Sequence, residues 1–311
     1  VIVSFTPNPA VDKTLVVRGL VHGAQNRADE SHVDPGGKGI NVSRMAHRLG
    51  SPTLALAVLG GHIGRLLARA LHDEGVPSRF VWTHGETRLN LVLVDPAAGA
   101  STRVWDRGPH ADDEVARSLL SLAHRGAAGA KVFVAGGTLL PGMPADLHAT
   151  ALADAAKAGA RTILDADGEA LRLGLAGRPS LVKPNVGEVA SLLGREVGTD
   201  AEVVAAGREL IDLGTEAVVV SLGARGSLLV ERGRVVRAVP PEVTMRSAVG
   251  SGDSMVAGLA VAMARGDDLV EGLRLGSAAG AATAAAVGTH LGERADVERL
   301  LPLVRIETVA G

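Results

Sequence analysis

The sequence predicts an α/β fold: a mainly parallel central sheet flanked by helices, with a small β-sheet projecting from it. Two observations predict it. Short apolar runs alternate with helical patterns of about 10 to 15 residues, the rhythm that parallel strands joined by covering helices require. Two polar, strand-like stretches then interrupt that rhythm, at residues 13–34 and 88–106, and neither has a helical period.

Taken in order, VIVSF reads as a first buried strand, and NPAVD behind it delivers Asp12. After the polar stretch 13–34 comes PGGKGINVSRMAHRLG (35–50), three glycines ahead of a helix expected to begin near Asn41. TLALAVLG and IGRLLARALHDEG continue as strand and helix; LGGHIG lacks the dinucleotide pattern G-x-G-x-x-G and reads as a turn before a packing helix. LNLVLVD and STRVWD around PAAGA read as a hairpin. KVFVAGG, MPADLHATALADAAKAG, RTILDAD, VVAAGRELIDLG and EAVVVSLG resume the alternation. SLLVERGRVVRAVP (227–240) reads as another hairpin at the sheet edge, and SMVAGLAVAMARG as a helix packed on the sheet. With no long linker, residues 1–311 are expected to form one domain, its lid made by about 13–34 and 88–106.

Composition narrows the function classes. A net charge of -2 gives no broad basic field for nucleic acid or an anionic membrane. The absence of cysteine excludes disulfides, thiolate chemistry and sulfur-held zinc. Aromatic content of 2% argues against base-stacking platforms. GSAAGAATAAAVG (276–288) is too short to cross a bilayer, and VIVSFTPNPAVD lacks a basic leader, so the expectation is a soluble, cytoplasmic protein.

The chemistry concentrates in VGSGDSMVAG. Gly250, Ser251 and Gly252 precede Asp253 and an apolar helix, so backbone N–H groups and the positive helix end converge beside a carboxylate. Such a nest suits charge developing on a phosphoryl group in flight, and the carboxylate suits an attacking hydroxyl's proton. The plain alternative is an N-cap aspartate after a flexible turn. In PGGKG, Lys38 is followed by Gly39 and not by Ser or Thr, so this is no Walker A loop; its glycines let backbone approach a sugar while Asn41 points an amide from the first turn. VKPNVGEV presents Lys183, Asn185 and Glu188; Asn and Glu three apart suit hydrated magnesium, or simply cap an αβ junction.

TPNPAVDKT, PGGKGINVSR, ETRLN, KPNVGE, SLGARG and VGSGDSMVAG occur in the order found in ribokinase-like carbohydrate kinases of the phosphofructokinase B group, which the chain resembles over about residues 3–290. The resemblance implies ATP, magnesium, transfer of the γ-phosphoryl group to a sugar hydroxyl, and homodimers paired through the lids. It implies Asp253 as catalytic base, with Gly250, Ser251 and Gly252 as anion hole. Asp12, Gly37 and Asn41 would hold sugar hydroxyls, and Asn185 and Glu188 would organise magnesium through water. Lys183 would position ATP phosphates, Ser221, Gly223 and Gly226 would lie along the nucleotide, and small residues around Ala279 to Thr283 would meet adenine. Arg88, Asn90, Asn26 and Arg27 look like the group's sugar-phosphate contacts. Lys38, the Asn-Arg pair of GAQNR and DSMVAG look most like bacterial 1-phosphofructokinases, which implies fructose 1-phosphate as acceptor. Tagatose-6-phosphate and fructose-6-phosphate kinases of the group are the alternatives, and a catalytically inactive metabolite-binding protein is the non-enzyme rival. The chain departs from the family at Gly136-Gly137-Thr138, where Ser-Gly-Ser is common, which leaves Thr138 to supply the hydroxyl for the substrate.

Overall fold

The computed structural model describes residues 1–309. Its first strand, β1 (Ile2–Thr6), is followed by two strands of the projecting layer, β2 (Ala10–Val16) and β3 (Glu30–Gly36), and by helix α1 (Lys38–Arg48). Next come β4 (Thr53–Gly60), α2 (Gly61–Asp73) and β5 (Ser78–Thr83), then the second pair of the projecting layer, β6 (Arg88–Asp95) and β7 (Ala100–Val104). The alternation continues with α3 (Asp113–Ala127), β8 (Val132–Gly136), α4 (Leu147–Lys157), β9 (Arg161–Asp165), α5 (Gly168–Gly174), β10 (Leu181–Val182) and α6 (Val186–Leu193). It closes with α7 (Asp200–Asp212), β11 (Ala217–Ser221), β12 (Ser227–Glu231), β13 (Val235–Val239), α8 (Ser251–Arg265), α9 (Leu269–Ala284), α10 (Arg294–Leu300) and β14 (Arg305–Val309).

The large sheet has ten strands in the order β14-β13-β12-β11-β10-β9-β8-β1-β4-β5. From β5 to β11 every pairing is parallel, and from β11 to β14 every pairing is antiparallel. Central strands such as IVSFT and VFVAG are buried throughout, because helices cover both faces. One apolar core, on the α3–α7 face, runs through Phe5, Leu119, Phe133, Leu152 and Leu210; a second, beneath α1, α8, α9 and α10, runs through Met45, Val134, Leu259 and Leu273; a smaller third joins Val11, Ile40, Leu67 and Leu71.

The lid is a four-stranded sheet in the order β3-β2-β6-β7. It matches the two expected polar stretches, with β2 and β3 reaching a few residues beyond 13–34. Two expectations need correction. The 227–240 hairpin forms as β12 and β13 but is not at the edge, because β14 pairs along β13 through Arg237↔Glu307. Helix α1 begins at Lys38 and not near Asn41, so Asn41 lies a full turn inside it.

Candidate active site

The strand order reverses beside β1: the chain lays β4 and β5 on one side of it and later returns with β8 on the other. Carboxyl ends of parallel strands on either side of such a reversal open a crevice. Into this crevice come the ends of β1, β8, β9, β10 and β11, together with the N-termini of α1 and α8.

Helix α8 starts at an N-cap glycine, Gly250, whose φ of 78° is left-handed and disfavours any side chain. No side chain caps this end, so the first-turn N–H groups have no partner from a capping residue. Asp253 is the third helical residue and not the N-cap, which removes the plain capping alternative. Its Oδ2 instead accepts a 2.8 Å hydrogen bond from the Asn41 side-chain amide, across 212 residues of sequence. Burial and then the neighbouring Asp165 carboxylate raise the Asp253 pKa to about 6, against the opposing pull of Asn41, Lys38 and Lys183. A carboxylate tuned in this way is basic enough to accept a proton near neutral pH.

Beside it lies a charged cluster that sequence reasoning only half found. Asp165, at the end of β9, is buried and receives Lys38 Nζ at 3.2 Å and Lys183 Nζ at 3.5 Å. Burial would raise its pKa, but the two lysines outweigh that and lower it. Lys38 also stands 3.7 Å from Glu188 Oε1. Its burial disfavours the charge, yet Asp165, Glu188 and Asp253 more than compensate and raise its pKa. Asn185 and Glu188 form a reciprocal capping box at the start of α6. The Asn185 amide oxygen is therefore occupied by the Glu188 N–H at 2.9 Å, which leaves Glu188 Oε1 as the outward acceptor of the pair. Asp165 Oδ2 is buried without a hydrogen-bond partner. No group of three or more His, Asp or Glu among the described residues makes a closed metal cage. A hydrated divalent cation held by one or two carboxylates fits this donor set.

On the lid side Asp12 and Asn90 face each other in register on β2 and β6, and Asn90 Nδ2 donates to Asp12 Oδ1 at 2.8 Å. Burial raises the Asp12 pKa, and the Asn90 bond moderates the rise. Gly36 explains itself here: a Cβ at that position would lie 2.2 Å from Asp12 Oδ2. Thr138 accepts from Asn8 Nδ2 at 3.1 Å, so the hydroxyl is present although the residue before the turn is Gly136. A Cβ on Gly136 would approach both Asp165 O and Lys38 Cβ to 3.3 Å, a tight fit for any side chain there. Pro184 O accepts from Ser221 N at 3.0 Å, and Asn185 bridges Ser221, so SLGARG, with Gly223 and Gly226 in its turn, lies alongside the KPN junction.

Three expected contacts are not assembled. Asn26 spends its amide on its own loop, exchanging bonds with Val21 N and O at 2.9 and 2.8 Å. Arg27 is exposed on that same connection, at the far end of the lid from Arg88: Val16 pairs with Glu30 there, while Ala10 pairs with Arg88 at the near end. Six strand residues separate the two ends, roughly 20 Å. Arg88 itself is largely buried, with its guanidinium donating to the Asn8 and Asp106 carbonyls at 2.9 and 3.2 Å, and only part of its fork is free. Ala279, Ala282 and Thr283 are enclosed between α8 and α9, where Thr283 Oγ1 bonds Ser254 Oγ at 2.7 Å, so they are packing residues and expose no adenine surface.

The model of the pfkB family carbohydrate kinases matches residues 6–295. The chain belongs to that family. It is similar to 1-phosphofructokinase of Rhodobacter capsulatus, at 38% identity covering 99% of this chain and 97% of that protein. It is also similar to ATP-dependent 6-phosphofructokinase isozyme 2 of Mycobacterium tuberculosis, at 37% identity covering 100% and 91%. Among solved structures, phosphofructokinase-2 of Escherichia coli in complex with substrates and products superposes with a TM-score of 0.91 at 34% identity, over 97% of this chain and 98% of that one. This pfkB kinase is thus a phosphotransferase with a ribokinase-like fold, and Lys38 and Lys183 both act on the charge of its Asp253.

Two polar residues of this pfkB kinase site escaped sequence reasoning. Asp165 was hidden in RTILDAD, where an acid after an apolar run reads as turn punctuation; its place at a parallel strand's carboxyl end was the available signal. Asn8 lies within TPNPAVDKT, just past β1, but nothing in that motif set it apart from its neighbours; its amide also donates to Arg107 O at 3.0 Å and joins three segments.

Proposed function

We propose that this chain is a cytoplasmic 1-phosphofructokinase: it transfers the γ-phosphoryl group of ATP to fructose 1-phosphate and yields fructose 1,6-bisphosphate and ADP. The observation that carries phosphoryl transfer is Asp253, raised to about 6, beside an uncapped helix N-terminus and within the field of two lysines. In this reading Asp253 takes the proton of the acceptor hydroxyl as its oxygen bonds to phosphorus, while the bridging bond to the β-phosphate breaks. The N–H groups of Gly250, Ser251 and Gly252 face the charge on the transferring oxygens. Lys38 and Lys183 neutralise phosphate charge once nucleotide draws them from Asp165. Magnesium, when bound, screens the phosphates; Glu188 and Asp165 are the carboxylates able to hold its waters. Asp12, Gly37 and Asn41 orient the sugar, and Arg88, Asn90 and Thr138 flank its phosphate.

Fructose 1-phosphate is preferred because Lys38 stands in PGGKG and because the Rhodobacter relative bears that activity in its name. The Mycobacterium relative, a 6-phosphofructokinase at nearly equal identity, favours fructose 6-phosphate as the second reading. We further read the protein as a homodimer paired through its lids. Val33, Leu89 and Val104 are 50%, 41% and 55% exposed on the lid face opposite Asp12, an apolar surface that a second copy would cover.

A coupled ADP-release assay over fructose 1-phosphate, fructose 6-phosphate, tagatose 6-phosphate and ribose tests the proposal. The highest kcat/KM is expected with fructose 1-phosphate. Preference for either hexose 6-phosphate would move the acceptor assignment, preference for ribose would end the phosphosugar reading, and no turnover with any of them would favour an inactive binding protein.

A further inference from the structure

The largest fully buried side chain among the described residues is an arginine, the last residue of PGGKGINVSR, for which the sequence suggests no role. Arg44 sits in α1, one turn after Asn41, and its side chain is 2% exposed. An unpaired guanidinium there would cost several kcal/mol, and Glu74, at the C-cap of α2, offsets it with a two-pronged contact at 2.8 and 2.6 Å. The remaining nitrogen, Nη1, donates to two acceptors: the carbonyl of Pro35 at 2.7 Å and the Asn41 side-chain oxygen at 3.3 Å. Asn41 in turn donates its amide nitrogen to Asp253 at 2.8 Å. Four residues from three helices thus form one line: Glu74, Arg44, Asn41, Asp253.

An asparagine amide can turn over and exchange its oxygen for its nitrogen. Arginine has donors only, so beside Arg44 the Asn41 oxygen must face the guanidinium and the NH₂ must face Asp253. With the amide reversed, two donors would oppose each other at Arg44 and two acceptors would oppose each other at Asp253. We propose that Arg44, clamped by Glu74, is a positioning residue that fixes the polarity of the Asn41 amide and thereby orients the proton-accepting carboxylate. This rests on the reading of Asp253 as general base. Arg44 touches neither Asp253 nor the crevice; it acts through Asn41. The charged groups that also face Asp253 are Lys38 from α1, Asp165 from β9 and Lys183 beyond β10. None of them contacts Arg44, so replacing Arg44 leaves that part of the field in place.

A purely structural staple between α1, α2 and the Pro35 turn would give different results, and a double-mutant cycle separates the two. Arg44→Met keeps the volume and removes every donor. It is expected to lower kcat about 10-fold while leaving KM for ATP within about twofold, and in an Asn41→Ala background the same change should alter kcat less than about twofold. Arg44→Lys retains a donor-only head without the fork, so it should recover most of kcat if amide polarity is what matters and should behave like the methionine variant if the fork is merely a staple. Should Arg44→Met not fold, Glu74→Gln loosens the clamp from its partly exposed end and should give a smaller loss, again only while Asn41 is present.

A second readout needs no turnover. The Asp253 carboxyl, followed by ¹³C NMR in the free protein, should titrate about half a unit to one unit higher in Arg44→Met than in wild type, because the Asn41 amide is no longer held with its NH₂ toward the carboxylate. Equal losses of kcat in both backgrounds, or an unmoved carboxyl titration in a folded Arg44→Met, would overturn the inference. Wild-type protein inert toward every phosphosugar would instead sink the functional reading, and the NMR titration would still decide the role of Arg44.

Discussion

Apart from the Asp12–Asn90 pair, the crevice at the end of the main sheet and the lid above it present polar groups in opposite ways. In the crevice, Asp253 is bonded to Asn41 and Asp165 to Lys38 and Lys183 across long stretches of sequence, and the proton affinities of Asp253, Asp165 and Lys38 are displaced. On the lid, Asn26 serves its own loop, Arg27 has no ion-pair partner among the described residues, and Arg88 is held by backbone carbonyls. The body carries preorganised chemistry. On the proposed reading the lid carries recognition that one chain leaves incomplete, and a second copy on its bare apolar face would complete it.

The contrast is most severely tested at Asp253. Asp253→Asn is expected to lower kcat by about 10² to 10⁴ with fold intact, since asparagine can still accept the Asn41 bond. In wild type, log kcat/KM should rise with pH and level off above about 6, following the ionisation of this carboxyl. Steady-state assays from pH 5 to 8 check both, and near-normal turnover of a verified variant would remove Asp253 from the chemistry.

Next in size is the lid base. Arg88→Ala should raise KM for the phosphosugar about 10- to 150-fold and change KM for ATP far less, as loss of a charge-assisted contact remote from the reacting oxygen would. Arg27→Ala should show the same asymmetry only in the dimer, given its distance from Arg88 within one chain. Equal small changes toward both substrates would demote these arginines to structural and surface roles. The dimer itself is open to a charge placed on the bare face: Val33→Asp should weaken self-association at least about tenfold by analytical ultracentrifugation, while a variant as dimeric as wild type would put the interface elsewhere.

The smallest expected effect is on stability, and its sign is informative. Because folding raises the Asp253 pKa from 3.8 to about 6, this group's stabilising contribution is fully present below about pH 4 and is lost as pH rises through 6. At pH 8 the folded protein holds an unfavourable carboxylate, so Asp253→Asn should melt about 2 to 5 °C higher than wild type, with the gap closing by pH 3. A gain in stability together with a loss of activity is the mark of a functional residue. A lower melting temperature at pH 8 would show that the ionised carboxylate is well accommodated.

How much of this was legible depended on the distance over which each residue finds its partners. The helix behind Gly250-Ser251-Gly252 and the junction at Lys183 declare themselves locally, through glycines and strand ends. Asn26 did not, because an asparagine that clamps its own turn and one that binds a ligand look alike in sequence. Ala279 to Thr283 misled because small residues serve equally for a ligand wall and for close helix packing. β14 was missed because RIETV is one-sided and polar, an edge strand recognisable only once β13 is in place. The pairing of β2 with β6 had no signal at all, being parallel and joining residues 78 apart.

That last pairing has a kinetic consequence. Between β2 and β6 the chain must first lay down β3, α1, β4, α2 and β5, four of which belong to the body. Long-range parallel pairing must close its loop before its contacts contribute, so it forms late. The lid is therefore expected to condense onto a β1-β4-β5 unit whose own pairings close shorter loops, with its amides at the low end of the stability range. In pulse-labelling hydrogen exchange, β1 and β4 should gain protection before β6, and under native conditions β6 and β7 should exchange by partial opening while β8 and β9 wait for global unfolding. A refolding intermediate of this protein would then have a floor of β1, β4 and β5 and no roof.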